Sequence, residues 1–143
     1  MRVLVCGGRN FGVVPRDLIR ASWGHGARER ADREIALLNE TLSLRERPAV
    51  IIHGAAQGAD EHARRWAKRN GVPTEAYKAN WYPDGRAGGL DWGAGPARNQ
   101  RMLDDGRPDL VIAFPGGAGT ADMIRRAEAA GIKVIRVERG ERE

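Results

Sequence analysis

Five short apolar runs recur along the chain, and most of them lack the alternation of a strand with one face in water. They span Val3 to Cys6, Ala49 to His53, Thr74 to Ala79, Leu110 to Phe114 and Lys133 to Val137. Uniformly apolar runs of this length are typical of strands that are buried on both faces of a sheet. The third run is the most polar, which predicts a strand towards an edge of the sheet.

Helical patterns fill the gaps between these runs. A short helix is predicted from Pro15 to Trp23, because proline favours a first turn, and Gly24-His25-Gly26 is predicted to end it. A longer crossover helix follows, whose charged residues, Glu34 among them, are predicted to face solvent. Its inner face is predicted to carry Ala31, Ile35, Leu38 and Leu42.

Three further helices are predicted mainly from the residues at their ends. One opens at Asp60, has an inward stripe from Ala59 to Asn70, and ends in a cap at Asn70-Gly71. Another has Pro96 in its first turn, and the last opens at Thr120 and stops at Gly131.

The regular alternation of strands and helices predicts the fold class. It indicates an α/β fold, a single Rossmann-like doubly wound domain over residues 1–143 with a mainly parallel sheet of about five strands. A strand order of 3-2-1-4-5 would make the first and fourth strands neighbours at the topological switch point. Open sheets of this kind bind ligands in the crevice outside the carboxyl ends of those strands.

Turns rich in glycine and other small residues follow three of the predicted strands and form the candidate ligand site. Glycine lets a ligand approach the backbone, and the N–H groups at a helix N-terminus attract anions. Each turn alone is equally compatible with an ordinary connection, but three turns at one sheet edge favour a phosphate-bearing ligand. The candidate residues are Gly7, Gly8, Arg9, Asn10, Gly54, Gln57, Gly58, Asp60, Pro115, Gly116, Gly117, Gly119 and Thr120.

Other polar and aromatic groups suggest how such a ligand would be held. Arg9, Arg98 and the Gly8 N–H are predicted to grip phosphate, and Trp81 or Tyr82 to stack on a base. An exposed, solubilising side chain is the alternative interpretation of Arg98. Asp60 is compatible with binding a ribose hydroxyl, but a role as a helix cap is favoured.

Charge and cysteine content limit the partners and the compartment. The net charge is +5 with a pI near 10.1, but the basic residues are 21 Arg and 3 Lys scattered among 19 acids. Nucleic acid is therefore a partner that is less favoured than a small molecule. A single cysteine, Cys6, suits a reducing cytoplasm, and no run could span a membrane. No metal site and no cofactor are predicted.

Four motifs together resemble those of the SLOG superfamily, in its YspA/YpsA-related branch. They are CGGRNF, HGAAQGAD, GPARNQRM and FPGGAGTADMIRRA, and they occur in the family's order along nearly the whole chain. The superfamily also includes the DprA/Smf proteins and the "lonely guy" phosphoribohydrolases. The resemblance implies a Rossmann-like fold that binds nucleotides or molecules derived from them, often as a sensor or effector.

Departures from the relatives' motifs bear on catalysis. The phosphoribohydrolases carry a catalytic glutamate in PGGxGTxxE, and that position is Met123 here. Cleavage of an N-glycosidic bond needs a carboxylate or its equivalent, which a thioether cannot replace. Arg98 matches their functional arginine, Asn99 replaces their lysine, and Gln57 stands where a basic residue is common. The resemblance therefore implies that anion binding is kept while the hydrolytic group is lost.

The sequence thus favours a non-catalytic module that binds a nucleotide-like small molecule. A nucleotide N-glycosidic hydrolase using Asp60 or Asp122 is the first alternative, and DprA-like nucleic-acid binding is the second. A homo-oligomer is expected, with a dimer as the commonest arrangement.

Overall fold

A parallel sheet of five strands organises the described part of the chain, residues 1–18 and 25–139 of a computed structural model. The strands are β1 (Arg2–Cys6), β2 (Val50–His53), β3 (Thr74–Ala76), β4 (Leu110–Ala113) and β5 (Lys133–Arg136). Their order is β3-β2-β1-β4-β5, and every pairing is parallel. The predicted α/β class is confirmed, and the strand order is the one that makes the first and fourth strands neighbours. Strand ends differ from the prediction by up to three residues, most at β3.

β1 lies at the centre of the sheet because it has apolar partners on both sides. Val3 pairs with Ile51 of β2 on one side and with Leu110 of β4 on the other. All of β2 and β4 is buried, whereas β3 and β5 are edge strands with exposed residues. The carboxyl ends of β1 and β4 therefore lie side by side, which is the geometry of a topological switch point.

Four helices cover the two faces of the sheet, two on each face. They are α1 (His25–Ser43), α2 (Ala59–Arg69), α3 (Ala94–Asp104) and α4 (Ala118–Ala129). Leu38 and Trp66 belong to the apolar cluster beneath α1 and α2, and Met102 and Met123 to the cluster beneath α3 and α4. No helix in the described ranges is long and apolar enough to cross a membrane.

The start of α1 corrects the prediction for the first crossover. The helix begins at His25 and contains Gly26, so the break predicted at those two residues is wrong. Of the helix predicted from Pro15 to Trp23, the structure describes a 3-10 turn at Arg16–Leu18. Residues 19–24 lie outside the described ranges.

The other helices agree with the prediction more closely. α3 and α4 begin at Ala94 and Ala118, so Pro96 and Thr120 stand in their first turns, where the N–H groups have no partner within the helix. Gly71 and Gly131 have φ of +66° and +76° just beyond α2 and α4, which confirms both predicted stops. Asn70 caps α2 and is exposed, so it does not belong to the inward stripe.

Glu34 is a second correction, because it is buried rather than solvated. Its side chain is 4% exposed, and Oε1 accepts the N–H of Gly12 at 2.8 Å. Arg30 and Arg139 supply the positive charge, Arg139 with Nε at 3.0 Å from Oε2. The carboxylate thus fastens the turn after β1 to α1. A helical charge pattern alone does not distinguish such an inward carboxylate from a solvated one.

The turn before α2 packs directly against the turn after β1. Gly58 has φ of +83°, and a side chain at this position would collide with the carbonyl oxygen of Gly8. The N–H of Ala59 donates to that same oxygen at 3.2 Å. The two turns are therefore in contact through their backbones, and only glycine fits between them.

We expect Gly58→Ala to destabilise the fold by about 3 kcal/mol, since it combines a left-handed φ with overpacking. Urea unfolding followed by circular dichroism measures the change. Gly26→Ala is the matched control, because no atom lies within 4 Å of the added methyl group in α1. This variant should be as stable as the native protein or up to about 1 kcal/mol more stable, because alanine favours a helix more than glycine does. Equal losses from the two variants would contradict the close-packing explanation.

Candidate functional site

A cavity of about 610 Å³ opens at the carboxyl edge of the sheet, where β1 and β4 end. Four segments line it: the turn after β1, the start of α2, the loop into α3 with α3 itself, and the start of α4. The predicted ligand residues that line it are Gly7, Gly8, Arg9, Asp60, Trp81, Arg98, Asn99, Gly117, Gly119 and Thr120. The structure thus brings residues from all three predicted turns to one cavity.

A smaller cavity of about 370 Å³ adjoins the first. Gly54 and Gln57, also predicted ligand residues, line this second space together with Lys78. The two cavities share Arg9, Ala56, Trp81 and Arg98, so the arginines border both spaces.

The remaining predicted residues, Asn10, Gly58, Pro115 and Gly116, line neither cavity and instead shape the turns. The Asn10 carbonyl accepts the N–H of Val13 at 3.1 Å. Gly116 lies against the Thr120 hydroxyl and the Gly8 nitrogen, with no room for a Cβ. Their contribution to the cavity is therefore through backbone geometry.

The N–H of Gly8 is not available to a ligand. It donates to the carbonyl of Pro115 at 2.9 Å, which joins the end of β1 to the turn after β4. The predicted role of this group as a phosphate donor is thereby corrected. A strand-end N–H next to a parallel neighbour continues the sheet's own hydrogen bonding, which outcompetes a ligand.

Arg98 is a half-buried cation rather than a freely exposed one. Its Nη1 donates to the carbonyl of Gly54 at 2.6 Å, and its Nε to Oδ1 of Asn99 at 3.0 Å. Burial lowers the pKa of its guanidinium, and the charge of Arg9 lowers it further, although Asp60 opposes the shift. These contacts fix the guanidinium at the border of the cavity.

Arg9 is held by an aromatic ring. Its guanidinium carbon lies 5.4 Å from the ring centre of Trp81, within the range of a cation–π interaction. Within the described residues, neither Arg9 nor Arg98 has a carboxylate at ion-pair distance. The cavity therefore contains two positive charges that no acidic side chain contacts directly.

The N-terminus of α4 adds open hydrogen-bond donors. Gly117 is the N-cap residue and makes no side-chain cap bond, and the first helical bond runs from Ala121 to the Gly117 carbonyl. In the described part of the chain, the N–H groups of residues 118–120 have no protein partner. Residues 117–120 all line the cavity, so the positive end of this helix dipole lies at its wall.

Asp60 is the buried acid of the site. Its Oδ2 accepts the N–H groups of Gly54 at 3.0 Å and Ala56 at 3.3 Å, so it supports the preceding turn rather than capping the helix. Burial raises the pKa of Asp60 to about 6, against the hydrogen bond from Ala56 and the charge of Arg98. Oδ1 has no partner among the described residues, and the side chain borders the cavity.

Asn99 and Asp122 join α3 to α4. The amide nitrogen of Asn99 donates to the Gly119 carbonyl at 3.2 Å and to Asp122 Oδ2 at 3.0 Å. Burial alone would raise the pKa of Asp122, but the bonds from Asn99 and Arg126 outweigh it and lower the pKa. Asp122 is thus ionised, and its carboxylate already accepts hydrogen bonds from Asn99 and Arg126.

Met123 lies in the core and not in the cavity. It is 1% exposed and packs in the cluster beneath α3 and α4. Cys6 does border the cavity, but burial raises the pKa of its thiol, so it is not a ready nucleophile.

Several residues that line the cavities were not predicted as site residues. They are Cys6, Ala55, Ala56, Lys78, Ala79, Trp92, Gly95, Pro96, Met102, Ala118 and Arg125. Asp122, which was predicted only as a catalytic group of the alternative hydrolase, also lines the larger cavity. Trp92 stands in the same long loop as Trp81 and Tyr82, but the stacking role was predicted for Trp81 or Tyr82. Asp122 and Arg125 lie on the same side of α4 as Ala118, four and seven residues after it.

The fold and the position of the cavity define a Rossmann-like α/β protein with a crevice at its topological switch point. Residues 1–82 match the profile of the YspA, cpYpsA-related SLOG family, which is more than half of the chain. The chain belongs to this family, and the resemblance inferred from its motifs is confirmed. The matched residues include the first two glycine turns, whereas Arg98 and the α4 turn lie beyond them.

The chain is also similar to individual proteins. The Gene 61 protein of Mycobacterium phage D29 is 40% identical over 93 residues, 60% of this chain and 69% of that protein. The X-ray structure of DNA processing protein A (DprA) from Streptococcus pneumoniae is similar with a TM-score of 0.44 and 20% identity. That match covers 94% of this chain, and the chain spans 58% of the DprA structure.

We expect Asp60→Asn to stabilise the unliganded protein at pH 8, because the ionised carboxylate is disfavoured by burial. The folded pKa of about 6 exceeds the ordinary 3.8, so the charge destabilises the fold fully above pH 6 and not below pH 4. The gain at pH 8 should be about 2 to 3 kcal/mol. Thermal unfolding of both proteins between pH 4 and pH 8 measures it.

Most of the stability gain should be lost as the pH falls to 4, where Asp60 of the native protein is protonated in the folded state and about half protonated in the unfolded state. Asp104→Asn, which removes an exposed carboxylate at the far end of α3, serves as the control for the loss of one negative charge. An Asp60→Asn variant that is less stable than the native protein at pH 8 would contradict the assignment.

Proposed function

We propose that the protein binds a nucleotide or a nucleotide-derived phosphate ligand in the larger cavity, as a non-catalytic sensor or effector module. The observation that carries this proposal is the convergence of Arg9 and Arg98 on one cavity without a carboxylate at ion-pair distance in the described chain. A half-buried cation without a counter-ion is unfavourable, so an anionic ligand would supply the missing partner.

The open N–H groups of α4 support a phosphate in particular. Residues 118–120 present backbone donors at the N-terminus of a twelve-residue helix. Gly117 and Gly119 carry no side chain that would keep a ligand away from these donors, and a Cβ at either would meet nothing within 4 Å. A helix N-terminus combined with arginine forks is a common means of binding phosphate oxygens.

Size and polarity support a nucleotide over a bare phosphate ion. The cavity volume of about 610 Å³ falls within the range of small-molecule sites. Asp60 borders it with an unpartnered Oδ1, which suits a sugar hydroxyl as donor. The cavity thus offers cationic and N–H groups for phosphate and an acceptor for a sugar.

The residues around the cavity favour binding over bond cleavage. Met123 replaces the glutamate of the related phosphoribohydrolases and is buried away from the cavity. Asp122 already accepts bonds from Asn99 and Arg126. Neither residue offers a free base at the place where the relatives have one.

A second candidate function rests on Asp60 alone. Its pKa of about 6 and its position beside the cavity would suit a general base near neutral pH, as needed for hydrolysis of an N-glycosidic bond. Prolonged incubation with AMP, followed by chromatography for free adenine, tests it. Release that rises through pH 6 and is lost in Asp60→Asn would support hydrolysis; no release would remove this candidate.

We expect isothermal titration to show binding of at least one member of a panel of AMP, ADP-ribose, NAD and a cyclic dinucleotide. Arg9→Ala should weaken that binding roughly 10- to 100-fold, because one charge-assisted contact to phosphate is lost. Arg98→Lys should also weaken it, since lysine keeps the charge but not the planar fork.

The matched control is Arg69→Ala, which removes the same charge from an exposed site at the opposite end of α2. It should leave the affinity unchanged within about twofold, and raising the salt from about 50 to 200 mM should weaken native binding. Absence of binding to every member of the panel would reject the proposed function. Equal losses in Arg9→Ala and Arg69→Ala would reject the assigned site.

A further inference from the structure

Trp92 is unusual because it is a large aromatic side chain left almost entirely in solvent. It is 82% exposed, the highest value among the large apolar residues of the described chain, and it lines the larger cavity. Exposed tryptophan forgoes a large gain from burial, and aromatic residues in such positions commonly serve in recognition. The described structure gives this ring no ring or cation contact.

The backbone around Trp92 is well held, so the ring is presented from a fixed position. The N–H of Asp91 donates to the carbonyl of Trp81 at 2.7 Å. The Asp91 carboxylate accepts the N–H of Gly93 at 2.9 Å, and its carbonyl accepts that of Ala94 at 3.2 Å. Trp92 therefore sits in a turn closed by hydrogen bonds immediately before α3, and little backbone entropy would be lost if its ring bound a ligand.

The two aromatic residues predicted to stack on a base are already engaged. The Trp81 ring has Arg9 near its face and Gly95 against its edge, where an added Cβ would lie 3.0 Å from the ring. The Tyr82 ring is covered by Arg86, whose guanidinium carbon is 4.9 Å from the ring centre. Each ring therefore has one face next to an arginine, and both residues are less exposed than Trp92.

The surroundings of Trp92 suit a planar, uncharged aromatic group. Pro96 lines the cavity from α3, and Arg125 lines it from α4 with a mostly exposed side chain. Among the described residues, the one contact of the Arg125 guanidinium is 3.5 Å long, to Asp122, so its plane could cover the other face of an aromatic ring. A nucleobase is the group that fits such a pair.

We propose that Trp92 stacks on the base of the bound nucleotide and thereby selects a base-bearing ligand over a bare sugar phosphate. This inference rests on the proposed function and assigns a recognition role to a residue of that site. Arg9, Arg98 and the α4 N-terminus bind the phosphate end, and Trp92 binds the base.

The test compares AMP with ribose 5-phosphate, which has the same sugar and phosphate without the base. The native protein should bind AMP roughly 5- to 100-fold more tightly, the range expected for one stacked base. Trp92→Ala should remove this preference while its affinity for ribose 5-phosphate stays the same. Trp92→Phe should retain most of the preference because phenylalanine also stacks.

Leu90→Ala is the matched control, since it changes an apolar residue of the same loop that is 36% exposed and lines neither cavity. It should bind both probes as the native protein does, and all variants should unfold at the native temperature. Trp92→Ala with native affinity for AMP, or with equal losses for both probes, would overturn the stacking role and leave nucleotide binding intact. Failure of every nucleotide to bind the native protein would reject the proposed function, and the inference with it.

Discussion

The site depends on backbone-to-backbone contact at Gly8. Its carbonyl accepts the N–H of Ala59 and its N–H donates to Pro115, so one residue joins the turn after β1 to α2 and to the end of β4. A side chain at Gly58 or Gly116 would separate these turns. Each such glycine costs conformational entropy on folding, which the packing of the three turns must offset. The cavity keeps its shape because the backbone, rather than flexible side chains, forms its floor.

The buried charges next to the cavity lower the stability of the folded protein. Asp60 is buried with a raised pKa, and Arg98 is half-buried with a lowered one, although the two attract each other. The amide and carbonyl bonds that hold them orient both groups but do not neutralise them. Such strain is characteristic of sites that gain their full complement of partners only when a ligand arrives.

The fold was predictable from the sequence to a greater degree than the site. The apolar runs and glycine stops predicted the strands and most helix ends, because burial and turn geometry restrict which residue types can occupy those positions. Glu34 and the Gly8 N–H were misjudged, since their roles depend on neighbours distant in the chain. Trp81 and Trp92 lie in the same loop, and the sequence does not distinguish them. The structure does, because Arg9 lies over the ring of Trp81. The assigned ligand residues remain a prediction.

The central position of β1 has a consequence for how the chain acquires its fold. The N–H of Arg2 bonds to the carboxylate of Asp109, 107 residues further along, and β1 pairs with β4 over the same interval. Parallel pairings over such distances form late, because loop closure must precede them. During synthesis, β1 can pair with β2 long before its other edge meets β4. The crevice at the switch point therefore forms in one of the last folding steps. Until then, the edge of β1 that pairs with β4 is unpaired in the nascent chain.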